Sequence, residues 1–351
     1  MEYITLTKGD AEFDAYLLGT FSRTHRALPV ETFHPQTARE RVTFKLVPRE
    51  KVAAPRWWVT YFWSSRPELL GLTMGPAIAA WLNHHSEIHE WTKWPSWFAL
   101  LGVFFLHAAS FLMNDVQDHL RGLDRQNGRR GSQVIQRGWV SAAAMKNWAY
   151  VNFFLAVLFG VPAYLNAPVE LSVICVAAFV GLGVLVWNKW ARWGASDFAV
   201  TMLFGPLLTS GIALASFGAC DVRDVVLGIA VGALATWALQ ARQFEYLFRA
   251  QPEGFRTFLG FWNFDRARTL CVVEGVLLLL LQPLAAWLLG IPLKLFILLP
   301  VVSIPSILFM GRLRSAASPL SSQLVNANRW ALGAHLSWTL WWILALGVTW
   351  L

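Results

Sequence analysis

The sequence predicts an all-α fold, a polytopic membrane bundle of about nine transmembrane helices around a central cavity. Three observations carry that expectation. Of 351 residues, 56% are hydrophobic and only 14% are charged, where a soluble domain is about a quarter charged. Apolar segments of spanning length follow one another from residue 67 onward. The basic residues fall almost wholly on one side of those segments. The mean hydropathy of +0.45 agrees. Twenty Trp and 24 Phe suit aromatic belts at the membrane surfaces and an aromatic-lined cavity. Disorder, a coiled coil and a collagen-like rod are excluded by this composition.

Residues 1–55 differ, with soluble composition, and read as a cytoplasmic N-terminal extension ahead of a membrane domain over 56–351. Glu2 to Thr7 and Arg41 to Val47 alternate as short strands do, with Val42, Phe44 and Leu46 on one side. Residues 11–20 suit a short amphipathic helix. A basic start followed by an apolar run is missing, so the segment does not read as a secretory signal.

About 20 apolar residues cross a bilayer as a helix. Spans are expected at 67–84, 96–116, 140–162, 169–187, 196–217, 223–246, 269–289, 292–310 and 329–350. Pro283, Pro292, Pro300 and Pro305 make the seventh and eighth the least regular. Cys175, Cys220 and Cys271 lie far apart in apolar context and form neither a disulfide framework nor a metal-ligand spacing.

The net charge of +8 invites a nucleic-acid reading, and the charge positions argue against one. Only Lys93, Arg223 and Lys294 of the 29 Lys and Arg residues fall on the side opposite the N-terminus. That asymmetry follows the positive-inside rule and predicts a cytoplasmic N-terminus and a multi-pass protein of a bacterial-type inner or cell membrane.

The chemistry concentrates in Asn114-Asp115-Val116-Gln117-Asp118-His119-Leu120-Arg121-Gly122-Leu123-Asp124. Asp115 and Asp118, three apart, share a helix face. Asn114, Asp118 and Arg121 align with His107 and Ser110 into one polar stripe, which lipid exposure would penalise. Gly122 permits a turn that returns Asp124 toward the other acids. Hard oxygen ligands beside arginine suit Mg²⁺ holding a diphosphate. A solvated loop with local salt bridges is the alternative.

N-D-x-x-D-x-x-x-x-x-D resembles the first aspartate-rich motif of the UbiA superfamily of intramembrane prenyltransferases. Gly122, two residues before the last Asp, is similar to the MenA-like branch, the dihydroxynaphthoate polyprenyltransferases. Ser65-Arg66-Pro67, Val134 to Ser141, Asp197 to Gly211 with Phe204-Gly205-Pro206, the Gly254, Arg256 and Thr257 set, and Arg266-Ala267-Arg268 resemble further segments of that branch, in order over about 66–350. The resemblance implies an Mg²⁺-dependent transfer of a polyprenyl group from a polyprenyl diphosphate to an aromatic acceptor of the quinone-precursor type. It implies Asp115, Asp118 and Asp124 as catalytic, with Asp115 and Asp118 on the metal. Asn114, Arg121 and Arg130 would bind the substrate, and Lys189 either reaches the diphosphate mouth or anchors its helix end.

The family's second motif, D-x-x-x-D, is degenerate here: Tyr246 and Ala250 hold its two Asp positions. Arg242, Glu245 and Arg249 lie on one stripe at the end of the sixth span. Either the arginines contact diphosphate with Glu245 orienting one of them, or the three form a salt-bridge ladder. A catalytically silent prenyl-lipid-binding protein is therefore the second functional reading, and a small-solute transporter a third. Glu274, inside the seventh span, is a functional candidate or a partner of Arg268. His107 either lines an acceptor pocket or makes an interhelical hydrogen bond. His84, His85, His89, Glu87 and Glu90 read as a solvated loop on the far side rather than a metal cluster.

Overall fold

The computed structural model describes residues 2–35, 37–84, 94–126, 131–187, 194–244 and 259–349. They fall into two compact units, residues 1–67 with 105–157, and residues 68–104 with 158–351.

The first unit opens with a three-stranded antiparallel sheet of order β1-β3-β2, from β1 (Glu2–Thr7), β2 (His25–Phe33) and β3 (Arg41–Pro48). Two of these strands and the short helix α1 (Phe13–Leu18) stand where the sequence alternation places them. β2 was not expected, because Pro29 interrupts it; the register shifts between Pro29 and Glu31, which confines the proline to a bulge on an edge strand. Leu6, Phe13, Leu17, Val42 and Phe44 form a small core under the sheet.

α2 (Trp57–Ser64) follows, with Trp57, Trp58, Phe62 and Trp63 all exposed. An aromatic-faced helix just ahead of an apolar one suits the headgroup level of a bilayer. The far half of α4 (Trp94–Leu120), the short α5 (Leu123–Gln126) and the first half of α6 (Ala142–Leu165) complete this unit. Leu112, Val116, Val134, Ile135, Val140 and Met145 are its second core, with Tyr61 and Trp148 packed against it.

The second unit holds α3 (Pro67–Asn83), α7 (Glu170–Trp187), α8 (Ala195–Phe204), α9 (Pro206–Phe217), α10 (Val222–Gln243), α11 (Phe264–Leu288), α12 (Leu299–Ser315) and α13 (Ala327–Val348). Trp237, Trp338, Trp341 and Trp342 are buried in its core. These four tryptophans thus fill the protein interior rather than a belt, while Trp57, Trp58, Trp63, Trp94, Trp97, Trp262 and Trp287 are exposed.

The span expected at 196–217 breaks into α8 and α9 at Gly205. Pro206 cannot continue the preceding ladder, and α10 crosses there at backbone contact. A Cβ on Gly205 would lie 2.2 Å from Gly228 O, and one on Gly232 would lie 2.2 Å from Thr201 O. The eighth span begins as a 3-10 turn over Leu293–Leu298 before α12, while Pro283 and Pro305 are absorbed inside helices.

Among the described residues, seven helices are long and apolar enough to cross a membrane. The other two expected spans fall on α3, which has 17 residues, and on α7, an apolar helix described over Glu170–Leu182. Phe179, Leu280 and Ile297 are 77%, 64% and 79% exposed on those helices. Apolar surface of that kind needs hydrocarbon around it, and the chain is an integral, multi-pass membrane protein.

Candidate functional site

α4 runs apolar for most of its length and ends in the aspartate-rich segment. Asp115 is 2% exposed, Asp118 6% and Asp124 2%. The first two share the helix face their spacing demands. The polar stripe is only half buried: His107 and Asp118 face inward, while Ser110, Asn114 and Arg121 are exposed. Helix position sets direction, and packing decides which polar positions are covered.

Arg66 forms a buried ion pair with Oδ1 of Asp115. Oδ2 of Asp115 accepts the Ser132 N–H at 3.0 Å. The Arg66 guanidinium also lies over the Phe111 ring, 5.9 Å from its centre, and a cation on a ring face is held electrostatically. Arg66 adopts φ 52°, left-handed and rare outside glycine. The turn between α2 and α3 tolerates that strain and delivers the guanidinium to the acid. Sequence reasoning used Arg66 only as part of a motif. Its signal was a lone cation wedged between Ser65 and Pro67 at the head of an apolar helix.

Asn114 Nδ2 donates to Asp118 Oδ2 at 3.2 Å. Gly122 takes φ 80°, and the chain turns there into α5, which carries Asp124. Gly131 closes the returning loop at φ 72°, where a Cβ would lie 2.4 Å from Asp124 Oδ2. Consecutive residues Gly131 and Ser132 therefore touch Asp124 and Asp115, tying the two acids to one short segment.

The N-terminal sheet is part of this construction. Arg125 donates through Nη2 to Glu40 Oε1 at 2.5 Å and through Nε to His119 O at 2.9 Å. Burial lowers the Arg125 pKa, and the Glu40 carboxylate works against that, holding the guanidinium charged. His119 Nε2–H donates to Leu17 O at 3.1 Å. A Cβ on Gly122 would meet Pro35, and one on Gly138 would meet Leu28. Nothing in the soluble composition of 1–55 announced that it packs on the motif.

Arg121 is exposed at the end of α4. Arg242 lies in the last turn of α10. Arg130, Lys189, Glu245 and Arg249 lie outside the described residues, as do Tyr246, Ala250, His85, Glu87, His89 and Glu90. His84, expected in a solvated loop, is instead buried, and it pairs with the buried Asp224 at 3.0 Å in the second unit. Arg268 pairs with Asp265 at 3.1 Å and donates to Ala316 O. Glu274 instead lines a cleft with Asp197 and Gln240.

No group of three or more His, Cys, Asp or Glu residues able to hold a metal occurs among the described residues. Mg²⁺ in general is held by one or two carboxylates plus substrate phosphates rather than by an all-protein cage. A carboxylate offers about four lone-pair positions, so Asp115 keeps acceptor capacity beyond Arg66 and Ser132.

No protein-family model matches the sequence, and no curated protein does. Solved structures do match. One, from work on digeranylgeranylglyceryl phosphate synthase in membranes, aligns with TM-score 0.57 and 17% identity over 83% of this chain and 99% of its own. A UbiA homolog from Archaeoglobus fulgidus bound to GPP and Mg²⁺ aligns with TM-score 0.52 and 13% identity over 82% and 99%. The same homolog bound to DMAPP and Mg²⁺ gives TM-score 0.54 at 13% identity, again over 82% and 99%. At this level of identity the likeness is one of fold, and the chain has the membrane-bundle fold of the UbiA homologs.

Proposed function

We propose that this protein transfers a polyprenyl group from a polyprenyl diphosphate to an aromatic acceptor of the quinone-precursor type, within the membrane, as the MenA-like branch does. The observation that carries the reading is the set of buried acids Asp115, Asp118 and Asp124 at one helix end of a UbiA-like fold. Burial of three carboxylates is costly unless cations complete the site. A diphosphate brought with Mg²⁺ supplies that completion.

In this reading Asp118 and the remaining lone pairs of Asp115 would hold Mg²⁺, and the ion would supply positive charge against the departing diphosphate. Asn114 orients the Asp118 carboxylate, and the Ser132 N–H fixes that of Asp115. Arg66 balances Asp115 before substrate arrives and adds positive charge where the diphosphate leaves. Arg121, Arg130, Lys189, Arg242 and Arg249 are the proposed diphosphate contacts, with Glu245 orienting one arginine. The diphosphate departs with the C–O bonding pair. The acceptor ring attacks the allylic cation and then loses a proton, and a dry, aromatic-lined site limits capture by water. The N-terminus and this helix end face the cytoplasm, by the charge asymmetry.

A second reading has its own observation. The guanidinium of Arg66 already occupies Asp115, as it would in a silent protein that binds prenyl lipid without turnover. The two separate in one experiment. The purified protein is given a panel of prenyl diphosphates and aromatic acceptors, with and without EDTA. Transfer to an acceptor with release of diphosphate, abolished by EDTA, is expected. Prenyl diphosphate binding without release in any combination would overturn the enzymatic reading in favour of the silent one.

A further inference from the structure

A lateral cleft in the second unit has a chemistry the aspartate-rich motif does not share. Its volume is about 580 Å³, within the range of small-molecule sites. It lies among α8, α10 and α11. Phe198, Leu277, Leu280 and Leu284 form apolar walls and are themselves well exposed, so the cleft opens where hydrocarbon would lie.

Polar groups gather on one part of this lining. Asp197 from α8, Gln240 from α10 and Glu274 from α11 all line the cleft. Gln240 is 3% exposed, and its Nε2 donates to Asp197 Oδ2 at 3.1 Å. The two carboxyl groups are close enough to interact, and Gln240 is within reach of both. Among the described residues, Gln240 Oε1 is buried with no hydrogen-bond partner. The hydroxyls of Thr201 and Thr236 are engaged, with each other at 2.7 Å and with backbone carbonyls. None of the described residues lining the cleft is cationic.

The polar part of the cleft is therefore acceptor-rich, with two carboxyl groups and an amide oxygen and, among the described residues, no cation. A buried amide oxygen without a donor costs about 1–3 kcal/mol, and two adjacent carboxyl groups oppose one another's ionisation. Both penalties vanish with one kind of ligand, a cation bearing several N–H donors. A primary ammonium has three, one each for Asp197, Glu274 and Gln240 Oε1. A phosphate or diphosphate would be repelled. A bare metal ion would leave the leucine walls without a role. We propose that this cleft binds a membrane amphiphile with a primary ammonium head and an alkyl tail. The site uses none of the residues assigned to prenyl transfer above, and it stands or falls separately from that reading.

The test uses the full chain in non-ionic detergent at pH 7 with radiolabelled octylammonium, octanol of equal tail length, and Na⁺ or Mg²⁺ as competitors. Retention is measured against empty micelles. The parent should retain octylammonium at least tenfold better than octanol, with competition by neither ion. Asp197→Asn and Glu274→Gln should each lower octylammonium retention at least fivefold and leave octanol retention unchanged. Without ligand, neither variant should melt below the parent, because each removes a carboxylate from a crowded pair. Equal retention of amine and alcohol by the parent would overturn the proposal. So would displacement of the amine by either ion, or undiminished amine binding in the Asp197→Asn/Glu274→Gln double variant.

Discussion

Arg66→Ala is the most informative single change at the aspartate-rich site. The Arg66 and Asp115 side chains are 4% and 3% exposed. Removing one partner of a buried pair costs about 3–5 kcal/mol, because the other charge stays behind. Asp115 would keep its Ser132 N–H bond, and a hydrogen bond to a charged group contributes about 1.5–3 kcal/mol. The expected loss therefore sits near the low end, about 3 kcal/mol. Ala at position 66 inherits the left-handed φ of 52°. Gly does not pay that strain, so Arg66→Gly should be about 1 kcal/mol less destabilised. Thermal unfolding in detergent reads these differences. Asp115→Asn should itself destabilise, since it leaves Arg66 buried without its anion. The Arg66→Ala/Asp115→Asn double variant should then recover at least about 2 kcal/mol relative to the sum of the singles. Mg²⁺ should raise the melting temperature of Arg66→Ala more than that of the parent, because no guanidinium then competes with the ion for Asp115. Losses that simply add in the double variant would refute the buried pair. An equal Mg²⁺ effect on Arg66→Ala and the parent would refute Asp115 as a metal ligand.

Four further outcomes are expected. Asp118→Ala should lower Mg²⁺-dependent prenyl diphosphate binding by a few kcal/mol, about a hundredfold or more, while circular dichroism stays that of the parent; undiminished binding would remove Asp118 from the site. Glu40→Ala should cost about 3 kcal/mol in thermal unfolding, since Arg125 would stay buried without its carboxylate, and should expose residues 2–55 to protease sooner than in the parent. Gly131→Ala should destabilise by more than about 1 kcal/mol, because φ 72° disfavours a Cβ and that atom would strike Asp124; a melting temperature equal to the parent's would contradict the loop geometry. In a background without the three native cysteines, Gln126→Cys should react with a membrane-impermeant reagent only from the cytoplasmic side, and labelling of intact cells from outside would reverse the orientation.

The sheet illustrates how far local pattern reaches. β1 and β3 were legible because Val42 and Phe44 alternate with polar neighbours, and both are fully buried. β2 was not, since its partner is chosen by tertiary pairing and Pro29 masks its pattern. In α4 the spacing of Asp115 and Asp118 set their common face. It could not say that Ser110, Asn114 and Arg121, on the stripe that Asp118 shares, would stay exposed. The cleft of Asp197, Gln240 and Glu274 was legible only as scattered polar residues, with Glu274 open to a pairing with Arg268. The structure gives Arg268 to Asp265 instead.

What the sequence by itself determined is the solvent this chain needs and the direction of its helices. Apolar runs of spanning length demand hydrocarbon, and a helix repeat of 3.6 residues assigns each side chain its azimuth. Those properties depend on near neighbours alone. What only the tertiary structure decided is which charges meet. Arg66 finds Asp115 49 residues away, Glu40 finds Arg125 across 85, and Gln240 reaches Asp197 across 43. Pairings over such separations are set by how helices and sheet pack, and burial in low dielectric then gives those few contacts an energy that no local spacing encodes.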